Sequence, residues 1–305
     1  MPSLSRARMI VVLSASTAAT AALAGVLWYH WDKVGKAVAA VSISTFLVLA
    51  GLQWVTYLCR TQAFSICVHE AGARTPTGPL HGASAATFLA NMVVPMYIGG
   101  WVRVTMLRRL AARDGPTIGQ MVTADGVSLL LEAIITVVLV ILASTQLHVD
   151  WWWVALLIAA CAAGAFSVRH ARSRLAHRPW VDALNVFHSR WKIAALSGIL
   201  AIVLLLQPLR FYIALQAVGF DVTPLQALLA FILTSAASVL PLGPGPASVG
   251  GVAAVLGAKG LAAAAAGGVV LAGSAVLAAA AYTLVALAFL AWQRRRGAVA
   301  AEAPG

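Results

Sequence analysis

One apolar stretch that is broken by prolines and glycines constrains the fold more than any other part of the chain. It runs from Ser238 to Gly251, reads SVLPLGPGPASVGG, and places three prolines and four glycines inside a longer hydrophobic run. Lipid cannot hydrogen-bond the backbone groups that such a break leaves open, so irregular backbone at membrane depth is packed in protein or lines a wet cavity. We therefore expect the functional site beside this break.

A second stretch upstream has the same character. Residues 91–113, NMVVPMYIGGWVRVTMLRRLAAR, form an apolar run that is broken by Pro95 and by Gly99-Gly100. Paired hydrophobic segments interrupted by Gly and Pro, in matching positions of two halves, point to the binding site of a transporter. We interpret the two stretches as an internal duplication. With an offset of 145 to 146 residues, the aligned pairs are Pro79 with Pro224, Pro95 with Pro241, and Gly115 with Gly260.

Composition places the chain in the membrane. Of its 305 residues, 61% are hydrophobic and only 10% are charged, which excludes an ordinary soluble protein. The formal net charge of +12 could suggest a nucleic-acid partner. However, the basic residues lie in short loops between apolar runs, where they act as topology signals. We expect no nucleic-acid partner.

Measured against the roughly 20 apolar residues that a membrane helix needs, the sequence predicts an all-α, polytopic integral membrane protein. The first run is too long for the apolar core of a signal peptide, so we expect an uncleaved span. Residues 60–79 are more polar and predict a connection or an interfacial helix. Segments 80–99 and 224–258 are broken. The six full spans are predicted at about 9–28, 38–59, 118–144, 151–168, 193–217 and 261–292.

The distribution of Lys and Arg predicts how the broken segments lie. If both crossed the membrane, the basic loops at 103–113 and 169–192 would be outside, which inverts the positive-inside rule. If each is a re-entrant hairpin, 17 of the 21 basic residues are cytoplasmic. The exceptions are Lys33, Lys36 and Lys259 outside, and Arg210 within a span. We expect the cytoplasmic membrane, with both termini in the cytoplasm.

Re-entrant hairpins make the two halves an inverted repeat in a single transmembrane domain, 1–305. The first repeat is 37–147 and the second is 193–292. Span 9–28 is an addition, and span 151–168 connects the repeats with the odd crossing that inversion requires. Hairpins that enter from opposite faces bring their tips together near the midplane, the usual arrangement around a substrate in alternating access.

Two arginines are candidates for binding an anionic phosphate. Arg210 follows Pro208 inside an apolar span, where a charge costs at least about 2.5 kcal/mol, so it needs a partner or a wet cavity. Its alternative is to extend along the span to the headgroups. Arg60 holds the comparable place in the first repeat. Its alternative is that of an ordinary arginine at the cytoplasmic end of a span.

Two carboxylates lie seven residues apart in one span: Glu132 is near its middle, and Asp125 is two turns earlier on nearly the same helical face. Carboxylates at this depth pair with arginine or carry protons. The alternative to a substrate role is a structural ion pair with Arg60 or Arg210. Weaker candidates, which could simply form interhelical hydrogen bonds, are Asn91, Gln53, Tyr57 and Gln207.

No other residue pattern points to catalysis or to a metal. A basic cluster could dock lipid headgroups or anchor the topology; its members are Arg103, Arg108, Arg109 and Arg113. The three cysteines and seven histidines lack metal-ligand spacing, and no nucleophile motif is present. We expect neither an enzyme, nor a metal, nor a cofactor.

At the two breaks the chain resembles the flippase-like transmembrane region of bacterial lysylphosphatidylglycerol synthases, over about residues 35 to 292. The residues that match are Asn91, Pro95, Gly99 and Arg103, then Pro241, Pro244 and Gly245. The soluble aminoacyl-transferring domain is missing, so the resemblance implies no synthase activity. It implies movement of a phospholipid or a polyprenyl-linked lipid between leaflets, with the matching residues near the substrate.

Two residues depart from the pattern of that family. Gly100 stands where the family usually has Glu, and Gly251 stands where a second Glu would fall. If transport needs those carboxylates, this chain has a different substrate or is inactive. Asp125 and Glu132 are then the remaining acids that could serve.

These features predict a lipid flippase-like transporter in which Arg210 and Arg60 hold an anionic or zwitterionic headgroup. Membrane lipids are the expected partners, and an envelope-biosynthesis protein is a further one. Two alternatives remain open. The chain could be a non-transporting scaffold for an envelope enzyme, or a carrier of small solutes, which the inverted repeat fits equally well.

Overall fold

The computed structural model describes most of the chain and is helical wherever it describes regular structure. The predicted span 9–28 lies largely outside the described residues, and the predicted span 151–168 lies wholly outside them. Pro95, Pro241 and Arg113 also lie outside the described residues. The described residues are Ser14, Thr17, Ala18, Ala21, 24–73, 75–93, 96–111, 115–147, 187, 189–239, 244–257 and 260–302.

Nine helices are defined within this part of the chain, and it contains no strand. Helices α2, α5, α6 and α9 are long and apolar enough to cross a membrane, which confirms the predicted all-α, polytopic membrane protein and the four spans that can be checked. The bounds are α1 Trp31–Ala39, α2 Ile43–Glu70, α3 Thr77–Val93, α4 Met96–Leu110, α5 Ile118–Leu147, α6 Arg190–Ala217, α7 Pro224–Val239, α8 Pro244–Leu256 and α9 Leu261–Glu302.

Helix α2 is longer than the sequence predicted. Residues 60–79 were expected to be a connection or an interfacial helix, but residues 60–70 continue α2 to Glu70. Its last turns remain helical since Phe64, Cys67 and Val68 are buried in the core. Gly72 follows two residues after the helix ends, and its φ of 82° is the left-handed conformation that glycine adopts readily at helix ends.

The order of elements repeats along the chain. A span, two short helices and a second span occur first as α2 to α5 and again as α6 to α9. Helices α3 and α4, which we call hairpin 1, lie on either side of residues 94–95. Helices α7 and α8, which we call hairpin 2, lie on either side of residues 240–243. The predicted breaks at Pro95 and Pro241 fall on these residues, which lie outside the described ones.

The arms of hairpin 1 run antiparallel along each other. Gly82 in α3 lies against Leu110 at the end of α4, and Asn91 near the end of α3 lies against Gly99 near the start of α4. In hairpin 2, α7 and α8 are also packed together, with Gly251 in α8 against Thr234 in α7. Each broken segment therefore turns back on itself, as predicted for a re-entrant hairpin.

The chain forms two compact units. Unit 1 comprises residues 1–55, 86–102 and 206–282, and unit 2 comprises 56–85, 103–205 and 283–305. The core of unit 2 consists of large buried side chains from α2 to α6: Phe64, Val68, Leu80, Leu107, Met121, Val127, Leu196 and Leu200. The core of unit 1 includes Leu49, Phe211, Leu215, Val222, Val252, Val270 and Leu271.

Within unit 2, several helix ends lie together. Lys192 Nζ, in the first turn of α6, is 2.5 Å from a carboxylate oxygen of Glu70 at the end of α2. Gln120 Nε2, in the first turn of α5, donates a 2.5 Å hydrogen bond to the carbonyl of Ala71. The first turn of α3 packs against Gln293 in α9. Hairpin 1 therefore opens beside the end of α2.

Within unit 1, hairpin 2 opens beside the end of α6. Gly219, with a φ of 80°, follows the end of α6 at Ala217. Gln216 Nε2 donates a 3.1 Å hydrogen bond to the carbonyl of Val222, just before α7. The start of α9 packs there too, because Gly267 lies against Leu215. Each hairpin therefore opens beside the end of the span that precedes it. Inversion across a membrane stays a prediction.

Candidate functional site

A buried arginine organises the polar contacts of unit 1. Arg210 lies in α6, two residues after Pro208, and only 4% of it is exposed. Its guanidinium donates to five neutral oxygens on three helices. Nε donates to Leu49 O at 3.1 Å. Nη1 donates to Gln53 Oε1 and, at 3.1 Å, to Gln207 Oε1. Nη2 donates to Leu271 O at 3.3 Å and to Ser274 Oγ at 3.1 Å.

These contacts join α2, α6 and α9. The alternative in which Arg210 extends to the headgroups is wrong, because the side chain is buried among protein oxygens. Gln53 and Gln207 also bond to each other, with 3.1 Å between Gln207 Nε2 and Gln53 Oε1. Both glutamines thus belong to the arginine's network. Phosphate binding by Arg210 stays a prediction, and it would require one of these oxygens to be displaced.

The second candidate arginine forms an ion pair in unit 2. Arg60 Nη1 lies 2.9 Å from Glu132 Oε1, and Arg60 Nη2 donates a 3.2 Å hydrogen bond to Glu132 Oε2. This two-point geometry is the strong form of an arginine–carboxylate pair. The guanidinium side chain is 35% exposed, whereas the carboxylate side chain is 15% exposed. The pair therefore shelters its acid and leaves part of its cation accessible.

A second ion pair shows the opposite exposure. Arg103 Nη1 lies 2.6 Å from Asp125 Oδ1, with the arginine side chain 13% exposed and the aspartate side chain 33% exposed. The Arg103 guanidinium carbon also lies 4.6 Å from the centre of the Phe64 ring, a cation–π distance. This contact joins the second arm of hairpin 1 to α2 and α5. Here the cation is sheltered and the acid is accessible.

Both carboxylates of α5 are thus paired, which is the structural alternative that the sequence left open. The Glu132 partner, Arg60, was one of the two expected. The Asp125 partner, Arg103, was not expected, because the sequence placed it in one basic cluster with Arg108 and Arg109. A turn of 100° per residue puts Arg103 about 140° from Arg108 around α4, and that angle could have separated them. Arg108 and Arg109 are exposed, whereas Arg103 faces inward.

Each hairpin holds a polar side chain against a glycine of its other arm. The carboxamide of Asn91 packs on Gly99, and the hydroxyl of Thr234 packs on Gly251. Among the described residues, neither Asn91 Oδ1 nor Thr234 Oγ1, both buried atoms, has a hydrogen-bond partner. Sequence analysis selected Asn91 and missed Thr234, since a lone threonine in an apolar helix gives no signal.

The remaining candidates are placed as follows. Pro244 and Gly245 are the first residues of α8, and proline is favoured at the first position of a helix. Tyr57 is buried in α2, with 3% exposed. In the part of the chain that the structure describes, no group of three or more His, Cys, Asp and Glu side chains could hold a metal.

The two glycines that depart from the family pattern have different surroundings. A Cβ added at Gly100 would meet no atom within 4 Å. A Cβ added at Gly251 would lie 2.6 Å from the backbone nitrogen of Thr234 and 2.9 Å from the carbonyl oxygen of Ala230. Position 100 therefore has room for a side chain. Position 251 does not, because α7 packs directly against it.

Comparison with known families gives one match. The family model described as the lysylphosphatidylglycerol synthase TM region matches residues 10–291. Comparisons with curated proteins and with solved structures give no match. The matched region begins before residue 35, so it includes most of the predicted span 9–28. The match therefore starts earlier than the expected residue 35, and the interpretation of span 9–28 as an addition to the repeat stays a prediction.

Proposed function

This chain belongs to the family of the lysylphosphatidylglycerol synthase TM region, and from this premise we propose that it moves a lipid between the two leaflets of its membrane. A function related to membrane lipids follows from the family itself. The finer proposal is a flippase-like transporter for a phospholipid or a polyprenyl-linked lipid. Its polar headgroup would pass through the protein while its acyl chains stay in the bilayer.

The partly exposed side chain of Arg60 is the observation that supports this proposal best. It belongs to a membrane-spanning helix, and one third of its side chain is exposed beside a sheltered carboxylate. A charged group in a membrane span faces the protein interior or a water-filled cavity rather than hydrocarbon. A planar guanidinium binds phosphate through two parallel hydrogen bonds. We assign Arg60 the headgroup phosphate and Arg210 the positioning of α2, α6 and α9.

The hairpins support the same proposal. Broken helices beside a pair of repeats are the sites where transporters bind anionic groups and ions. The second arms begin at Met96 and Pro244, and the N-terminus of a helix attracts negative charge. The backbone N–H groups in the first turn of α4 suit a phosphodiester better than an apolar solute. In α8 only Gly245 and Ala247 offer such groups, because Pro244 and Pro246 have none.

The setting of the proposed activity follows from the distribution of basic residues. We place the chain in the cytoplasmic membrane with both termini in the cytoplasm, as the positive-inside rule favours. The proposal includes neither a catalytic step nor a cofactor. An envelope-biosynthesis enzyme as a partner stays a prediction.

The test is a leaflet-translocation assay in proteoliposomes containing phosphatidylglycerol labelled on its acyl chain with a fluorophore that dithionite bleaches. We expect the wild type to expose the inner-leaflet probe faster than protein-free vesicles do. Arg60→Gln should slow this rate at least about tenfold, since hydrogen bonds to a charged group contribute about 1.5–3 kcal/mol.

Arg108→Gln is the matched control, because Arg108 is an exposed arginine at the end of α4. Equal rates for the Arg60 and Arg108 variants would remove Arg60 from the headgroup site. A wild type no faster than empty vesicles would contradict transport itself and favour the scaffold.

A further inference from the structure

The two ion pairs on α5 differ in which partner a ligand can reach. In the pair of Arg60 with Glu132, the arginine side chain is 35% exposed and the acid 15%. In the pair of Arg103 with Asp125, the arginine is 13% exposed and also lies over the Phe64 ring. An incoming anion can therefore compete with Glu132 for its arginine, but it cannot reach Arg103 in the same way.

Competition for Arg60 leaves Glu132 without its partner. Arg60, from α2, is the charged group that contacts Glu132 among the described residues. On α5 itself the nearest acid along the helix is Asp125, which is held by Arg103 from α4. A carboxylate that is sheltered from water within a membrane span and has lost its counter-charge is costly, so it becomes neutral by taking up a proton.

The charge of the site explains why this exchange suits transport. With Arg60 bound to Glu132, the pair has a net charge of zero. If a phosphodiester with one negative charge replaced Glu132 on Arg60, an ionised Glu132 would leave the loaded site with a net negative charge. One proton on Glu132 restores neutrality. Both the empty and the loaded site are then electrically neutral within the membrane interior.

We propose that Glu132 couples lipid movement to proton movement in the same direction, through competition between its carboxylate and the headgroup phosphate for Arg60. The proposal rests on the proposed lipid transport. When the headgroup binds, two phosphate oxygens replace the two carboxylate oxygens on Nη1 and Nη2, and Glu132 takes one proton from water on that side. On the other side the proton leaves, Glu132 pairs with Arg60 again, and the headgroup is released.

Two consequences can be measured. One lipid anion and one proton move together, so the step is electroneutral and a membrane potential does not drive it. A gradient of one pH unit can maintain about a tenfold asymmetry of the lipid between leaflets, with accumulation on the alkaline side.

The experiment uses the same labelled phosphatidylglycerol in proteoliposomes, with the interior one pH unit more alkaline than the exterior. We expect the wild type to enrich the probe about tenfold in the inner leaflet. A potassium diffusion potential at equal pH should produce no enrichment. With the pH gradient, Glu132→Gln should show a ratio of inner-leaflet to outer-leaflet probe of about 1, whatever its own rate of lipid movement. Glu132→Asp, which keeps the acid, should restore the enrichment at least in part.

Glu70→Gln is the control for the loss of a carboxylate, because Glu70 pairs with Lys192 at the exposed end of α2 and should leave the enrichment as in the wild type. A wild type that moves lipid but ignores the pH gradient would overturn the coupling and leave lipid transport standing. Enrichment that persists in Glu132→Gln would overturn the assignment to Glu132. A wild type that moves no lipid would overturn the coupling and the proposed function together.

Discussion

In hairpin 2, the hydroxyl of Thr234 lies directly against Gly251 of the opposite arm. The approach is so close that the backbone of α7 lies where a side chain at position 251 would be. Small residues at helix contacts in membranes allow such backbone-to-backbone packing. The geometry of this hairpin therefore depends on the absence of a Cβ at one position.

Replacement of Gly251 with alanine should destabilise the protein. The new Cβ would lie 2.6 Å from Thr234 N and 2.9 Å from Ala230 O, so the arms must separate. Overpacking of this kind costs about 1–3 kcal/mol, and we expect a lower thermal midpoint in detergent. Gly250→Ala is the control, since a Cβ there meets nothing within 4 Å. Equal midpoints for the two variants would contradict the close packing of α7 on α8.

Loss of the Arg210 side chain should also destabilise the protein. In Arg210→Met the oxygens of Gln53, Gln207 and Ser274 lose a charged donor while they stay buried or half-buried. Because an unsatisfied buried polar group costs about 1–3 kcal/mol, we expect a loss of about 3 kcal/mol or more.

Arg210→Lys should recover only part of that stability, since an ammonium cannot reproduce the planar fork. Arg190→Met, at the exposed start of α6, serves as the control in the same thermal or chemical unfolding measurement. If Arg210→Met unfolds like Arg190→Met, the guanidinium does not hold the three helices together.

The sequence predicted the four spans that can be checked well because membranes impose strong local rules. Long apolar runs specify spans wherever they occur, and prolines and glycines specify breaks. The end of α2 was missed because Arg60 and Glu70 made residues 60–70 look like a connection. Tertiary packing of Phe64 and Val68, and the pairing of both charges, keep that segment helical. Such support from distant helices is not visible in a local pattern.

The candidate site was predictable in its residue types but not in its pairing. The sequence showed two acids on one face of a span and arginines elsewhere, and it could not assign partners. The partner of Asp125 depends on how hairpin 1 packs against α5, and four of the five acceptors of Arg210 come from α2 and α9, which are distant from it in sequence. Glycine packing was equally hidden, because the sequence alone does not distinguish Gly100 from Gly251.

Double-mutant cycles should rank the ion pairs by burial. For Arg103 and Asp125, the variants Arg103→Gln and Asp125→Asn, alone and combined, should give a coupling energy of about 1–3 kcal/mol. The exposed pair of Lys192 with Glu70 should give less than about 1 kcal/mol, because solvent screens it. Unfolding free energies of the single and double variants provide the measurement. A larger coupling for the exposed pair would contradict the inward placement of Arg103.

Thiol labelling should place hairpin 1 and the two ends of α6 relative to the membrane. In a background with Cys59, Cys67 and Cys161 replaced by alanine, single cysteines at Arg109, Arg190 and Asp221 can be probed with an impermeant maleimide. Helix α6 has 28 residues, or about 42 Å, so it exceeds the roughly 30 Å of a bilayer core. We therefore expect its two ends, at Arg190 and near Asp221, on opposite sides.

The predicted spans 118–144 and 151–168 put positions 109 and 190 on the same side, and a re-entrant hairpin 1 keeps both in the cytoplasm. In cells with an intact cytoplasmic membrane, the maleimide should label the cysteine at 221 and reach the other two only after permeabilisation. Labelling of 109 and 190 in intact cells, with 221 protected, would mean that hairpin 1 crosses the membrane, because a crossing would move both positions outside. In that case the accessible side of Arg60, and with it the route of the headgroup, would have to be assigned anew.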